Sequence, residues 1–346
     1  MTQDSIIIDL DDTITIDNSS DNYNNKKLND LVHKAIINAR MSGLKIKIFS
    51  ARNMRTYEGD LEKIEKYTRP LAENWLATNN VEYDEFRLGK PWAGKNGFYV
   101  DDKNMHIDEF IFKFCGPFYN KKISVVTSLF NEQENIKKMH QHNKKAERLL
   151  EITEYIYINN GSTDSTLKIL NEIKKYDEKI KVITNKENLG YGGGMKEGIY
   201  NSSGEIIITN HADMQFDLYQ FIMTNYEKIM EYNELHAILP IRLNRKFLES
   251  LNSSILRLIV SMFSLKKIGD FNGQPKFLNR RFLPSSEKLP NDFCLDLALY
   301  NLIVNEAIAL PIIQNDRNAG SSSWSGSLIK RLQIFIRYIS YSINRK

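Results

Sequence analysis

Two carboxylates stand two residues apart, Asp9 and Asp11, directly after the apolar run Ile6-Ile7-Ile8. An Asp side chain can attack a phosphoryl group to form an aspartyl-phosphate, and a second carboxylate beside it can protonate the leaving oxygen and then activate water. Carboxylates and phosphate repel one another, so such a site needs a cation and positive side chains. Asp101 and Asp102 offer oxygen ligands for Mg²⁺, while Ser50 and Lys90 can hold phosphate oxygens. Arg52 and Arg55 either bind an anionic group of a substrate or solvate a loop. A lone Asp-x-Asp is also an ordinary strand-end turn or helix cap. Four such elements in order, each at an expected strand end, favour the site.

A second constellation lies past residue 120. Asn159-Asn160-Gly161-Ser162-Thr163-Asp164-Ser165-Thr166 suits a turn leading into a helix. Asn188-Leu189-Gly190-Tyr191-Gly192-Gly193-Gly194 precedes a helical stretch, and its glycines would let backbone come close to a diphosphate. Asp213, in Asn210-His211-Ala212-Asp213-Met214-Gln215, could hold a divalent cation against that diphosphate. No Gly-Lys-Ser/Thr follows the glycines, so ATP hydrolysis has no support.

These residues need strand ends to position them. Ile6–Ile8 and Ile123–Thr127 are short, β-branched runs that stop at polar residues, and they read as strands buried on both faces of parallel sheets. In the first half, strands are expected at Leu44–Phe49 and Gly97–Val100, with helices at Leu28–Met41 and Gly59–Thr78. In the second half, strands are expected at Tyr155–Ile158, Lys181–Thr184 and Glu205–Thr209, with helices at Glu134–Leu149 and Ser165–Tyr176. The turn-like segment Gly116–Lys122 separates the halves.

The 346 residues suit two domains. With 42% hydrophobic and 26% charged residues, composition excludes a disordered, collagen-like or disulfide-built chain. A net charge of +4 is too small to imply nucleic-acid binding, and the five bases without an acid in residues 328–346 account for all of it. Cys115 and Cys294 have no zinc or disulfide spacing, so a reducing compartment is expected. The N-terminus lacks a secretory pattern, and no run approaches the ~20 apolar residues that span a bilayer. A cytoplasmic protein is expected, at most peripheral on the inner face of the cytoplasmic membrane.

Asp9-x-Asp11-x-Thr13, Phe49-Ser50-Ala51-Arg52-Asn53-Met54-Arg55-Thr56-Tyr57-Glu58-Gly59, Gly89-Lys90-Pro91-Trp92 and Gly97-Phe98-Tyr99-Val100-Asp101-Asp102-Lys103 together resemble the haloacid dehalogenase superfamily of phosphatases, in the group associated with capsule biosynthesis. The resemblance implies a Rossmann-like domain without a large cap. In it Asp9 is the nucleophile, Asp11 the general acid and base, and Ser50, Arg52 and Lys90 hold the phosphoester. Asp9, Asp11, Asp101 and Asp102 would surround Mg²⁺, and the substrate would be a small or exposed phosphoester.

Val125–Glu132, Asn160-Gly161-Ser162-Thr163-Asp164, Asn188-x-Gly190, His211-Ala212-Asp213-x-Gln215 and Arg317-x-x-Gly320-Ser321-Ser322 are similar to family 2 glycosyltransferases of the GT-A fold, in the dolichyl-phosphate mannosyltransferase-like branch. This implies inverting transfer from a nucleotide sugar to a saccharide or lipid-linked acceptor. Asn131, Glu132, Asn160, Asp164, Gly190 and Asp213 would line the donor, with Asp213 the ligand of Mg²⁺ or Mn²⁺. Lys276 falls in an acceptor-side loop. Asp296, or Asp292 in its stead, falls where the family carries an acidic motif and would serve as base; a phosphate acceptor would need none. His211 replaces a carboxylate and either coordinates or stands behind the ligand.

The expected organisation is therefore α/β throughout: 1–118 phosphatase, 122–325 transferase and 326–346 a basic amphipathic tail. Leu328, Ile329, Leu332, Phe335, Ile336, Ile339 and Ile343 share one stripe of a helix that either lies in an anionic leaflet or packs on protein. The expected function is a fused, metal-dependent phosphomonoesterase and glycosyltransferase of surface-polysaccharide assembly. The alternatives are a transferase with an inert scaffold, and a nucleotide-sugar-binding membrane adaptor without catalysis.

Overall fold

The computed structural model describes residues 4–16, 25–94, 96–99, 101, 103–245, 247–315 and 328–344. The chain divides into two compact units, Met1–Tyr119 and Asn120–Lys346.

In the first unit β1 (Ser5–Ile8) enters a turn at Leu10–Ile14, and the short strands β2 (Thr15–Ile16) and β3 (Lys27–Leu28) pair antiparallel. There follow α1 (Asp30–Met41), β4 (Lys45–Ser50), α2 (Leu61–Tyr67), α3 (Arg69–Thr78), β5 (Glu85–Leu88) and α4 (Ile107–Cys115). The sheet runs β1-β4-β5 and is parallel, so Asp9 and Ser50 come to the same end. As an edge strand β1 is covered on one side only, and Ile7 is 68% exposed; the expected burial of both faces fails there.

Two other expectations change for local reasons. The helix expected at Gly59–Thr78 breaks at Thr68, because Pro70 has no N–H to donate and its ring fits only the first turn of a new helix. Residues 97–99 form no strand, and Val100 lies outside the described residues. The strand beside β4 is instead β5, whose Glu-Phe-Arg-Leu buries Phe86 alone.

In the second unit the order is β6 (Ile123–Leu129), α5 (Ile136–Lys145), β7 (Ile152–Asn160), α6 (Thr166–Lys174), β8 (Ile180–Asn185), α7 (Gly190–Asn201) and β9 (Ile206–Thr209). Then come α8 (Leu218–Thr224), α9 (Tyr226–Met230), β10 (Ala237–Leu243), α10 (Phe247–Ser264), β11 (Lys276–Asn279), α11 (Cys294–Ile303), β12 (Ala307–Ile313) and α12 (Leu328–Asn344). The sheet order is β12-β10-β11-β9-β6-β7-β8, parallel except at β11, which runs against both its neighbours. β6, between β9 and β7, is buried along nearly its whole length, as its largely apolar run requires. Among the described residues, no helix is long and apolar enough to cross a membrane.

A buried carboxylate ties the central strands together. Glu154 on β7 accepts hydrogen bonds from the Ser124 hydroxyl (2.6 Å), the Ser203 amide (2.5 Å) and hydroxyl (2.9 Å), and the Lys181 ammonium (2.5 Å). Burial opposes its ionisation, but these donors overcome that and hold its pKa at about 2, below an ordinary 4.5. A carboxylate whose pKa falls on folding stabilises the folded state above its unfolded pKa, and that stability is lost as pH falls through the folded pKa. Acid titration between about pH 4.5 and about pH 2 should therefore remove about 3 kcal/mol, and Glu154→Gln should lose that acid-dependent component in urea melts.

Candidate functional sites

In the first unit, β1 delivers Asp9 and the following turn delivers Asp11. Asp9 Oδ1 caps the turn by accepting the Leu10 amide (2.8 Å), and its Oδ2 accepts the Lys90 ammonium at 2.5 Å. Lys90 also lies 4.3 Å from the centre of the Tyr99 ring. Asp11 receives a forked pair from the buried Arg52, with Nε 3.1 Å and Nη2 2.6 Å from Oδ1. Ser50 is fully buried, and its hydroxyl accepts the Arg52 amide at 3.0 Å. Lys90 is anchored by its own amide, which donates to the Ser50 carbonyl (3.1 Å). Asp9, Asp11, Ser50, Arg52 and Lys90 thus converge. Asp101 is exposed and accepts the Lys103 amide (2.8 Å), and Asp102 lies outside the described residues. Among the described residues, no three His, Cys, Asp or Glu side chains are grouped as metal ligands.

In the second unit, the C-terminal ends of the parallel strands β6, β7 and β9 stand side by side, the edge where open α/β sheets place ligands. Asn131 accepts the Thr163 amide (2.8 Å) and the Glu132 amide donates to the Thr166 hydroxyl (2.9 Å), so the loop after β6 is stitched to the loop after β7, while the Glu132 carboxylate accepts the Asn135 side chain (2.6 Å). Burial opposes ionisation of Asp164, but hydrogen bonds from Thr166 and the Gln133 amide hold it below the usual carboxylate range. Asn160 is occupied on all sides: its amide donates to Asn188 (3.1 Å) and the Gly190 carbonyl (2.9 Å), and its oxygen accepts from Asn185 (3.0 Å) and the Leu189 amide (3.2 Å). It shapes the loop before α7, and this is the place its side chain has in the fold.

The glycines lie inside the first turns of α7 rather than before the helix. A Cβ on Gly192 would sit 2.1 Å from the Asp292 carbonyl, and one on Gly194 would sit 2.4 Å from the Ser128 hydroxyl. They let α7 press against neighbouring backbone and side chains, a packing role where the sequence suggested a diphosphate cradle.

After β9, Asp213 is 4% exposed, and its Oδ1 accepts the Gln215 amide (3.2 Å) in a turn where Met214 has φ of 64°. His211 Nε2 lies 3.3 Å from the Tyr191 hydroxyl. That hydroxyl is a hub that carries no motif signal: it also meets the Gln274 amide (3.2 Å) and Asp296 Oδ1 (3.4 Å). Burial and the Asp296 carboxylate push the Tyr191 phenol well above its ordinary pKa. Asp296 is in turn bound by Lys276, 2.6 Å away and wholly buried. Burial draws the Lys276 pKa down while Asp296 draws it up. A base must reach the attacking hydroxyl. Asp296, 6% exposed and held by an ammonium, is placed as an ion-pair partner instead. Asp292 accepts the Cys294 amide (2.9 Å) just before α11 and meets Arg337 of α12 at 3.3 Å. Gly190 has φ of 75°, and Arg317, Gly320, Ser321 and Ser322 lie outside the described residues.

Residues 124–243 match the family model described as glycosyl transferase family 2. The undecaprenyl-phosphate 4-deoxy-4-formamido-L-arabinose transferase of Salmonella choleraesuis is 24% identical over 207 residues, 59% of this chain and 63% of that protein. The uncharacterized glycosyltransferase YkcC of Bacillus subtilis is 23% identical over 203 residues, 58% of this chain and 62% of that one. The chain spans about three fifths of the length of these curated relatives. Among solved structures, glucosyl-3-phosphoglycerate synthase of Mycobacterium tuberculosis, in complex with Mn²⁺ and UDP, covers 65% of this chain and 79% of its own at 14% identity and a TM-score of 0.47. A Vibrio cholerae crystal structure is 41% identical, covering 31% of this chain and 87% of its own with a TM-score of 0.31. With the ends of β6, β7 and β9 supplying its polar edge, the segment 124–243 is the part of the chain that matches family 2 glycosyltransferases.

Proposed function

We propose that the chain is a two-activity enzyme of surface-polysaccharide assembly, with a phosphomonoesterase over about residues 1–118 and a glycosyltransferase over about residues 122–325. The observation that carries the transferase is the family 2 match, laid over one sheet edge where Glu132, Asp164 and Asp213 stand at neighbouring strand ends. A nucleotide sugar binds there. Asp213 and the His211 imidazole are the residues that would hold a divalent cation there, Mn²⁺ suiting the nitrogen better than Mg²⁺. The cation would neutralise the departing diphosphate. With Asp296 paired to Lys276, the acceptor we favour carries its own nucleophile: a lipid-linked phosphate, already ionised, needs no base, and the Salmonella relative is named for undecaprenyl phosphate. Transfer then breaks the sugar–diphosphate bond, forms a sugar–phosphate bond and releases the nucleotide diphosphate.

For the first unit the support is the convergence of Asp9, Asp11, Ser50, Arg52 and Lys90 at one end of β1 and β4. Asp9 attacks phosphorus, the leaving oxygen takes a proton from Asp11, and water deprotonated by Asp11 then releases phosphate. Lys90 and Ser50 hold phosphate oxygens and Arg52 orients Asp11. Asp9 and Asp11 are the described residues that would hold Mg²⁺, which would screen the two anions from each other. The setting is cytoplasmic, on the inner face of the membrane where lipid-linked acceptors are presented.

The test is a screen of the purified full chain against phosphorylated metabolites and nucleotide sugars, with polyprenyl phosphates and saccharides as acceptors. Phosphate release from a phosphomonoester and acceptor-dependent release of nucleotide diphosphate should both vanish with EDTA and return with Mg²⁺ or Mn²⁺. Nucleotide-sugar binding without release would make the second unit an adaptor, and a silent phosphatase assay would make the first a scaffold.

A further inference from the structure

α10 is apolar on two opposite sides. Leu256 and Val260 are buried in the core, while Phe247, Leu251, Ile255, Leu258 and Met262 are exposed, Phe247 by 78% and Met262 by 65%. At 100° per residue those five positions fall within about 80° of one another, and the buried pair lies across the helix from them. A helix of a water-soluble domain ordinarily turns polar groups outward. α12, which packs against α10, repeats the pattern. Tyr338 is sealed against Phe271, with ring centres 5.3 Å apart, and donates to the Phe293 carbonyl (2.9 Å), whereas Leu332, Ile336 and Ile343 stay exposed. The stripe expected from sequence divides: Phe335 packs against the core of its own domain, while Leu332, Ile336 and Ile343 face away.

Charge says what covers these stripes. α10 balances Glu249 against Arg257; Lys266 and Lys267 follow directly on it, and residues 328–346 hold five bases and no acid. Lys266 and Lys267 are exposed just past the end of α10. A second copy would bring an equally basic surface against this one, and like charges repel. An anionic leaflet offers apolar depth for the side chains and negative headgroups for the rim. Neither helix can cross the bilayer. We propose that α10 and α12 form a two-helix docking surface that lies in the headgroup region of an anionic bilayer. This deepens the reading of a lipid-linked acceptor and rests on it for its purpose, but vesicle binding needs no turnover, so the two fail separately.

The experiment is flotation of the full chain with vesicles of phosphatidylcholine alone and of phosphatidylcholine mixed with phosphatidylglycerol, at low and high salt. The chain should float with the mixed vesicles, less so at high salt and little with phosphatidylcholine alone. Leu258→Glu with Met262→Glu on α10, and Ile336→Glu on α12, should each lower the bound fraction about tenfold. Circular dichroism and Tm should stay unchanged, since these positions are exposed. Failure to float with either vesicle, or flotation indifferent to substitution on both helices, would overturn the proposal. So would a dimer in solution that these substitutions dissolve while vesicles remain unbound.

Discussion

Asp9→Asn should lower the rate of phosphomonoester hydrolysis by about 10⁴-fold or more, while glycosyl transfer by the same preparation stays at the parent level. The amide keeps the size of the carboxylate and its acceptor for the Leu10 amide, so the turn at Leu10–Ile14 should persist. What it lacks is a nucleophile able to form the aspartyl-phosphate. The lost ion pair with Lys90 is partly exposed and contributes little to stability, on the order of 1 kcal/mol or less, so a large effect on turnover cannot come from unfolding. The measurement is phosphate release alongside Tm. Hydrolysis near the parent rate in a folded Asp9→Asn protein would remove Asp9 from the chemistry and leave the pairs Asp9–Lys90 and Asp11–Arg52 as structural ties.

How much of this could be read from the chain depended on how much each segment is decided locally. β6 and β7 announce themselves because strands deep in a parallel sheet are apolar on both faces. β5, at the edge of its sheet, buries Phe86 and leaves Arg87 outside, so four residues give little pattern. β10 carries Pro240 in its middle, ordinarily an argument against an inner strand. It is placed there by pairing with β12 on one side and β11 on the other. The polar residues show the same limit. Asp9, Asp11 and Ser50 are set by their own strands and appear where the spacing puts them. Asn160, Gly192 and Asp296 look like donor-site or acceptor-site residues in sequence. In the fold each already has a neighbour: Asn188, the Asp292 carbonyl and Lys276. Tyr191 had no signal at all, because its hydroxyl matters only once β9, β11 and α11 bring His211, Gln274 and Asp296 around it.

Asp213 offers the sharper dissection of the transferase, because two substitutions there separate charge from shape. Asp213→Ala removes both the carboxylate and the acceptor of the Gln215 amide, and should lower transfer about 10²- to 10³-fold, the size of effect seen when one group that stabilises transition-state charge is deleted. Asp213→Asn keeps an oxygen for Gln215 and loses only the charge. If Asp213 acts through a divalent cation on the diphosphate, the Asn variant should fall nearly as far as the Ala variant and should need more Mn²⁺ to recover what remains. If it only shapes the turn, the Asn variant should work almost normally. His211→Ala supplies the comparison. As a cation ligand, His211 would make its loss abolish a preference for Mn²⁺ over Mg²⁺. As the partner of Tyr191 it would leave that preference alone and loosen the Tyr191–Gln274–Asp296 network, seen as a lower Tm. Phosphate release should be untouched in all three variants, and a parallel loss there would contradict the assignment of the two chemistries to separate units.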